Sequence, residues 1–197
     1  MSYGKKIEYR IIPRGSFPVI RGCSGCGRKT HFINTKKFRV NANGNKIDVW
    51  LIYQCETCKH TLNLAIYERQ KVSAISEKEY RRFLGNEEQL AEVYGRNMQL
   101  FRSNKAEIDF ERLEYEFVAL QEGAMDGGFG EGTEFIVHNP YGLKIRPEKQ
   151  IAGILGLSRS QVKKLTEKGE ITLEKSSSQM LSFRFNGNSD KHKETQI

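Results

Sequence analysis

The chain carries little cysteine and none to spare: Cys23, Cys26, Cys55 and Cys58 are all it has in 197 residues. That excludes a disulfide-rich secreted scaffold and points to a reducing, cytoplasmic setting. No apolar run approaches the roughly 20 residues of a membrane span. The stretch Met1 to Arg14 lacks the apolar core of a signal peptide. A soluble protein with no membrane partner is therefore expected. Histidine is scarce, with four in all, and no Ser/His/Asp or paired-carboxylate arrangement has a recognisable spacing. That weighs against an enzyme, and no small-molecule substrate is implied. The glycine-rich run Gly123 to Gly132 has no Gly-Lys-Ser/Thr ending, and a strand pattern over Thr133 to His138 follows it. It reads as a flexible loop rather than a phosphate cradle.

What is present centres on those four cysteines. Cys23-Ser24-Gly25-Cys26 and Cys55-Glu56-Thr57-Cys58 are two C-x-x-C pairs separated by 28 residues. Each pair can turn two thiolates toward one point, and two such knuckles complete the tetrahedral sulfur site that zinc takes. Four sulfurs leave no open position, so a structural zinc is expected and no catalytic residue. The other readings are two unrelated thiol pairs or a redox C-x-x-C, although no helix pattern follows Cys26 as a redox motif needs. His31 and His60 could replace a cysteine; surface or supporting roles suit them better. Between the knuckles, Phe38, Val40 and Ala42 alternate with polar residues, Asn43-Gly44 signals a tight turn, and Ile47, Val49, Leu51 and Tyr53 alternate again. This is the pattern of a β-hairpin with knuckles at its open end, a zinc ribbon. Strands over Lys6 to Ile12, Phe17 to Arg21 and Thr61 to Tyr67, the last with Leu62, Leu64 and Ile66 on one face, extend it to an antiparallel sheet of about five strands.

Charge is unevenly spread. The net charge is +8, made of +9 in residues 1–60, −6 in 61–141 and +5 in 142–197. Two basic ends flank an acidic middle, which suits an anionic partner or packing of the ends on the middle. Ser76-Glu77-Lys78-Glu79 has the form of a helix start, and Asn86 is a second candidate cap. Leu90, Val93, Tyr94, Met98 and Phe101 give an apolar stripe to about Arg102. Asp109 to Gln121 favours a strand. Farther on, Pro147 opens a helix and Gly156-Leu157 breaks it. Ser158-Arg159-Ser160-Gln161 caps the next, which Gly169 closes, and strands are read over Glu170 to Lys175 and Met180 to Phe185. The expected organisation is a zinc-ribbon β domain over 1–75, a helical and mixed middle over 76–141, a small module over 142–185 and a disordered tail over 186–197.

The segment from Ile145-Arg146-Pro147-Glu148-Lys149 through Ser158-Arg159-Ser160-Gln161-Val162-Lys163-Lys164-Leu165 to Gly169-Glu170-Ile171 resembles the RNA-binding domain named after ribosomal protein S-four. The resemblance implies two helices and a strand that set Arg and Lys against RNA backbone. The candidate RNA-binding residues are Arg146, Lys149, Arg159, Lys163 and Lys164. Arg159 and Lys163 lie one helical turn apart, with Lys164 beside them and off the Val162/Leu165 face. The same cluster also reads as a solvated basic helix face. Arg28, Lys29, Lys36, Lys37 and Arg39 form a second basic group. Trp50 and Tyr53 are candidate stacking faces, with sheet core the stronger reading for Tyr53.

The whole chain is similar to the bacterial domain-of-unknown-function family 1062, on Cys23-x-x-Cys26, Lys37 to Gly44, Asp48 to Tyr53 and Cys55-x-x-Cys58. The family implies no activity. The fold class expected is α+β: an N-terminal antiparallel sheet with a four-cysteine zinc ribbon, a mixed middle, and a C-terminal helix–helix–strand module. The function expected is binding of structured RNA, rRNA or tRNA. The alternative is a non-enzymatic protein-interaction adaptor with a structural zinc ribbon and an acidic protein partner.

Overall fold

The structure is a computed structural model and describes residues 5–121, 123 and 129–187. The centre of the glycine-rich run and the tail from residue 188 lie outside the described residues, and so do the expectations made for them. In chain order the strands are β1 (Lys6–Pro13), β2 (Val19–Cys23), β3 (Arg28–Asn43), β4 (Lys46–Cys55) and β5 (Thr61–Lys71). Three helices follow: α1 (Glu77–Leu84), α2 (Glu88–Tyr94) and α3 (Met98–Ser103). Then come β6 (Tyr115–Ala119), β7 (Thr133–His138), α4 (Pro147–Leu155), α5 (Arg159–Glu167), β8 (Ile171–Ser176) and β9 (Met180–Phe185). The protein is therefore mixed α+β. No helix among the described residues is long and apolar enough to cross a membrane.

The chain forms two compact units. One is residues 13–114; the other joins the residues up to 12 with those from 115 onward. In the first unit, β2-β3-β4-β5 is an antiparallel meander. Strict alternation in β4 buries Ile47, Val49, Leu51, Tyr53 and Cys55 completely. Asp48, Trp50, Ile52 and Gln54 point the other way and stay partly exposed, as a half-buried strand requires. The tight turn is Gly44-Asn45, because Asn43 pairs with Lys46; this is one residue later than expected. Phe38 is buried but Ala42 is exposed, although its cross-strand partner Ile47 is fully buried. Irregular pairing between Ile47 and Trp50 sets Tyr67, not Ile66, opposite the buried Val49.

Helices α1 to α3 cover the buried face of this sheet. Ser76 caps α1 by accepting from the Glu79 N–H. Asn86 does not cap α2: Glu87 occupies the N-cap position without a side-chain hydrogen bond, while Asn86 adopts φ 48° and its Oδ1 accepts the Phe38 N–H at 2.6 Å. The apolar stripe expected in one helix is split between two by Gly95-Arg96-Asn97. Asn97 caps α3, so Leu100 and Phe101 are buried and Val93 is left 63% exposed. Phe83 sits at the centre, with ring centroids 4.9 Å from Phe38, 5.6 Å from Tyr94 and 6.0 Å from Tyr67.

The second unit is a mixed sheet in the order β6-β1-β7-β9-β8. Here the sequence expectation fails: the Lys6 strand does not extend the ribbon sheet. It runs parallel to β7, pairing Ile7 with Phe135 and Tyr9 with Val137. Two strands of this sheet are thus separated in sequence by the whole first unit, and alternation alone carries no information about so distant a partner. Ile7, Ile11, Phe135, Val137, Phe183 and Phe185 form its buried face, with Phe135 and Phe183 stacked at 4.8 Å. Ile151, Ile154, Val162 and Leu165 of α4 and α5 are buried in the same unit. Buried Asn139 fastens the connections: its Nδ2 donates to Leu143 O and Ser178 O, both at 2.9 Å, and its Oδ1 accepts the Leu143 N–H at 3.0 Å.

Phe83→Ala should destabilise the protein by about 3–5 kcal/mol, because it empties a fully buried ring site. Val93→Ala should fall within about 0.5 kcal/mol of the parent, as exposed substitutions do. Urea unfolding of both variants checks the split of the helical stripe.

Candidate metal centre and basic surfaces

The meander brings the four cysteines together. Cys23 ends β2 and Cys26 precedes β3, while Cys55 ends β4 and Cys58 precedes β5. Their sulfurs all lie within 4.8 Å of one another, with Cys23 to Cys58 at 3.4 Å and Cys26 to Cys55 at 3.8 Å. The two knuckles are built alike. The Gly27 N–H donates to Cys23 O at 2.9 Å, and the Lys59 N–H donates to Cys55 O at 3.0 Å. Both residues after the second cysteine take positive φ, 68° at Gly27 and 63° at Lys59. Lysine there costs about 1–2 kcal/mol of backbone strain. Gly25 is required by space: a Cβ on it would lie 2.9 Å from Cys58 Sγ.

The donor set fits a soft cation. Cys55 is buried and Thr30 Oγ1 lies 3.3 Å from its sulfur. That hydroxyl first, then the backbone N–H groups of Cys58 and Thr57, draws the Cys55 thiol down to about 5. Cys26 is pushed up to about 12, chiefly by its hydrogen bond to Cys58. Four sulfurs so close cannot all be thiolates unless a positive charge sits among them. One is prepared as an anion by the surrounding fold, and the cluster can hold a metal ion with every position filled by protein.

A ring of contacts fixes the knuckles, and sequence reasoning missed it. Arg112 makes a two-pronged ion pair with Glu56, at 2.7 and 3.1 Å, and this pair holds the Glu56 carboxyl below its usual range. His31 Nδ1 lies 3.0 Å from Asp109. Val19 bridges Ile108, and the Ile20 N–H donates to Glu107 O. Residues 107–109 therefore form an extra edge beside β2. His60 Nε2 lies 3.0 Å from Ser24 Oγ and links one knuckle to the other. Neither histidine is among the clustered metal-ligating groups.

The basic groups fare differently. Lys29 pairs with Glu107 at 3.3 Å, and Lys36 pairs with Glu88 and Glu92 at 3.2 and 3.0 Å. These two of the five N-terminal cations are spent on the acidic middle, so the second basic surface shrinks to Arg28, Lys37 and Arg39. Tyr53 is fully buried and donates its hydroxyl to Phe17 O at 3.1 Å, which removes it as a stacking face. In the other unit Arg146, Lys149, Arg159, Lys163 and Lys164 are all exposed on α4 and α5 or at the start of α4. Ser158 and Gln161 form the expected capping box on α5. Lys149 lies over the Tyr115 ring at 5.2 Å, and Lys163 makes a long i,i+4 ion pair with exposed Glu167 at 3.9 Å.

Residues 40–177 match the family described as Protein of unknown function (DUF1062). The chain belongs to this family. The match takes in Cys55 and Cys58, α1 to α5 and all of β8, but begins after Cys23 and Cys26. No curated protein and no solved structure matches the chain.

Gly25→Ala should lower metal affinity about tenfold or more, because the added methyl displaces a sulfur, and groups that orient ligands commonly carry that much. Gly27→Asn should leave affinity near parent, since Lys59 already takes the equivalent conformation in the other knuckle. Competition against a chromophoric chelator measures both.

Proposed function

We propose that the chain is a zinc-containing protein of the reducing cytoplasm that binds structured RNA, rRNA or tRNA, through α4 and α5. The observation that carries this reading is the exposure of Arg146, Lys149, Arg159, Lys163 and Lys164 on two consecutive helices. Among the described residues only Lys163 of these five has an ion pair, the long one to exposed Glu167, and exposed cations are available to phosphate oxygens. The order helix, helix, strand supports the likeness to the S-four RNA-binding domain, and the short capped link at Ser158 keeps Arg159 and Lys163 on the open side of α5 while Val162 and Leu165 face inward.

Zinc is the metal favoured by four thiols in two knuckles, because thiolate ligands and a closed tetrahedral site suit it. Cys23, Cys26, Cys55 and Cys58 would hold it, and the charge it supplies allows the sulfurs to pack. With no position open to water, its role is to fix the ribbon rather than to act on a substrate.

X-ray absorption on freshly purified reduced protein should find one zinc per chain with sulfur ligands only, at about 2.3 Å; nitrogen in the shell would rule out the four-cysteine assignment. For RNA, Arg159→Glu, Lys163→Glu and Lys164→Glu together should weaken binding to a folded RNA and flatten the dependence of log affinity on log salt by roughly 0.7–0.9 for each phosphate no longer neutralised. The control is Lys71→Glu, Lys78→Glu and Lys105→Glu, which changes charge equally elsewhere. Equal weakening by both sets would mean general attraction only. Absence of RNA binding at low salt would defeat the proposal and leave a protein adaptor as the better reading.

A further inference from the structure

The outward face of β3, β4 and β5 is not covered by α1 to α3, and RNA binding through α4 and α5 does not involve it. Register sets Arg39 directly opposite Trp50, Lys37 opposite Ile52 and Asn41 opposite Asp48 on one side of β4, with Ala65 opposite Trp50 and Asn63 opposite Ile52 on the other. Arg39, Val40, Asn41, Trp50 and Asn63 line an open hollow of about 460 Å³. Trp50 is partly exposed within it and is the single tryptophan of the chain. Lys37 and Arg39 are exposed and, unlike Lys29 and Lys36, make no ion pair with any described residue. The nearby carboxylate Asp48 already accepts the Arg69 N–H at 2.7 Å. Asn41 and Asn63 have no side-chain hydrogen bond to a described residue.

We propose that this face binds a single-stranded segment of RNA, with one base stacked on Trp50 and the neighbouring phosphates held by Lys37 and Arg39. An indole in an open hollow offers an unspecific face to any base, and cations beside it suit a backbone that runs past the stacked base. Successive outward residues on a strand are about 6.8 Å apart, so Trp50 and the row of Arg39 and Lys37 span neighbouring nucleotides. The two free amides flanking the indole each offer a donor and an acceptor, which matches a ribose 2′-hydroxyl. A duplex has its bases stacked inside and cannot present one to the indole. This inference adds to the reading of α4 and α5 and does not rest on it, since every residue named lies in the other unit.

The lone tryptophan makes the test direct. Oligouridine of about eight nucleotides, within the site sizes of such platforms, should quench the Trp50 emission on titration. Labelled-oligonucleotide anisotropy should show Trp50→Ala weakening binding about five- to a hundredfold, Trp50→Phe retaining most of it, and Lys37→Glu with Arg39→Glu weakening it and reducing its salt dependence. The triple change at Arg159, Lys163 and Lys164 should leave the quenching intact, which separates this site from the helical one. Circular dichroism verifies folding of each variant, and the charge pair remains decisive should Trp50→Ala fail to fold. The inference is overturned if oligouridine leaves the emission unchanged, if duplex RNA quenches equally, if oligodeoxythymidine binds as tightly, or if the Lys37/Arg39 variant binds like the parent.

Discussion

Four sulfurs must share one small volume, and the first unit is arranged around that demand. Cys23 and Cys58 approach to 3.4 Å although they lie at opposite edges of the meander. The strands have to coil until β2 and β5 bring their cysteine ends together. A sheet of four strands with one helical face is a small core, and a metal held among the sulfurs would supply folding free energy that such a core lacks. The accommodations follow from this: strain accepted at Lys59, no side chain at Gly25, and the Thr30 hydroxyl turned to the buried Cys55 sulfur.

The acidic middle of the chain has a physical role in the same arrangement. Glu56 with Arg112, His31 with Asp109 and Lys29 with Glu107 surround the knuckles, and Lys36 is held by α2 through Glu88 and Glu92. Single exposed pairs of this kind contribute little, commonly about 0–1 kcal/mol. The pairs of Glu107, Asp109 and Arg112 hold the segment whose residues 107–109 run along the edge of β2. Among the described residues Arg28, Lys37 and Arg39 of the first unit make no ion pair, and neither do Arg146, Lys149, Arg159 and Lys164 of the second, whereas Lys163 pairs with Glu167 at 3.9 Å.

Much of this was legible in the sequence because it is local. The C-x-x-C spacing announced the cluster, period-two alternation over Ile47 to Gln54 announced the buried face of β4, and Pro147, Ser158 and Gly169 bracketed two helices correctly. Three things were not legible. The partner of β1 lies more than a hundred residues away, and its apolar alternation fits either sheet. The break between α2 and α3 depends on Asn97 capping a new helix, which competes with a continuous apolar stripe that propensity alone would favour. The ion pairs around the knuckles join residues distant in sequence, so counting charges could not tell Lys36, which is neutralised, from Lys37, which is free. The function of the C-terminal helices was read from resemblance and charge, and neither specifies a target.

The central claim is that a metal at the four cysteines holds the ribbon together. Hydrogen exchange with and without a strong chelator tests it most directly. Metal removal should abolish protection of the amides that build the knuckles and the strand ends beside them, those of Gly27, Phe32, Cys55 and Lys59, while the β7–β9 ladder between Phe135 and Phe183 stays protected. Unchanged protection at Cys55 and Lys59 in fully metal-free, reduced protein would contradict the account.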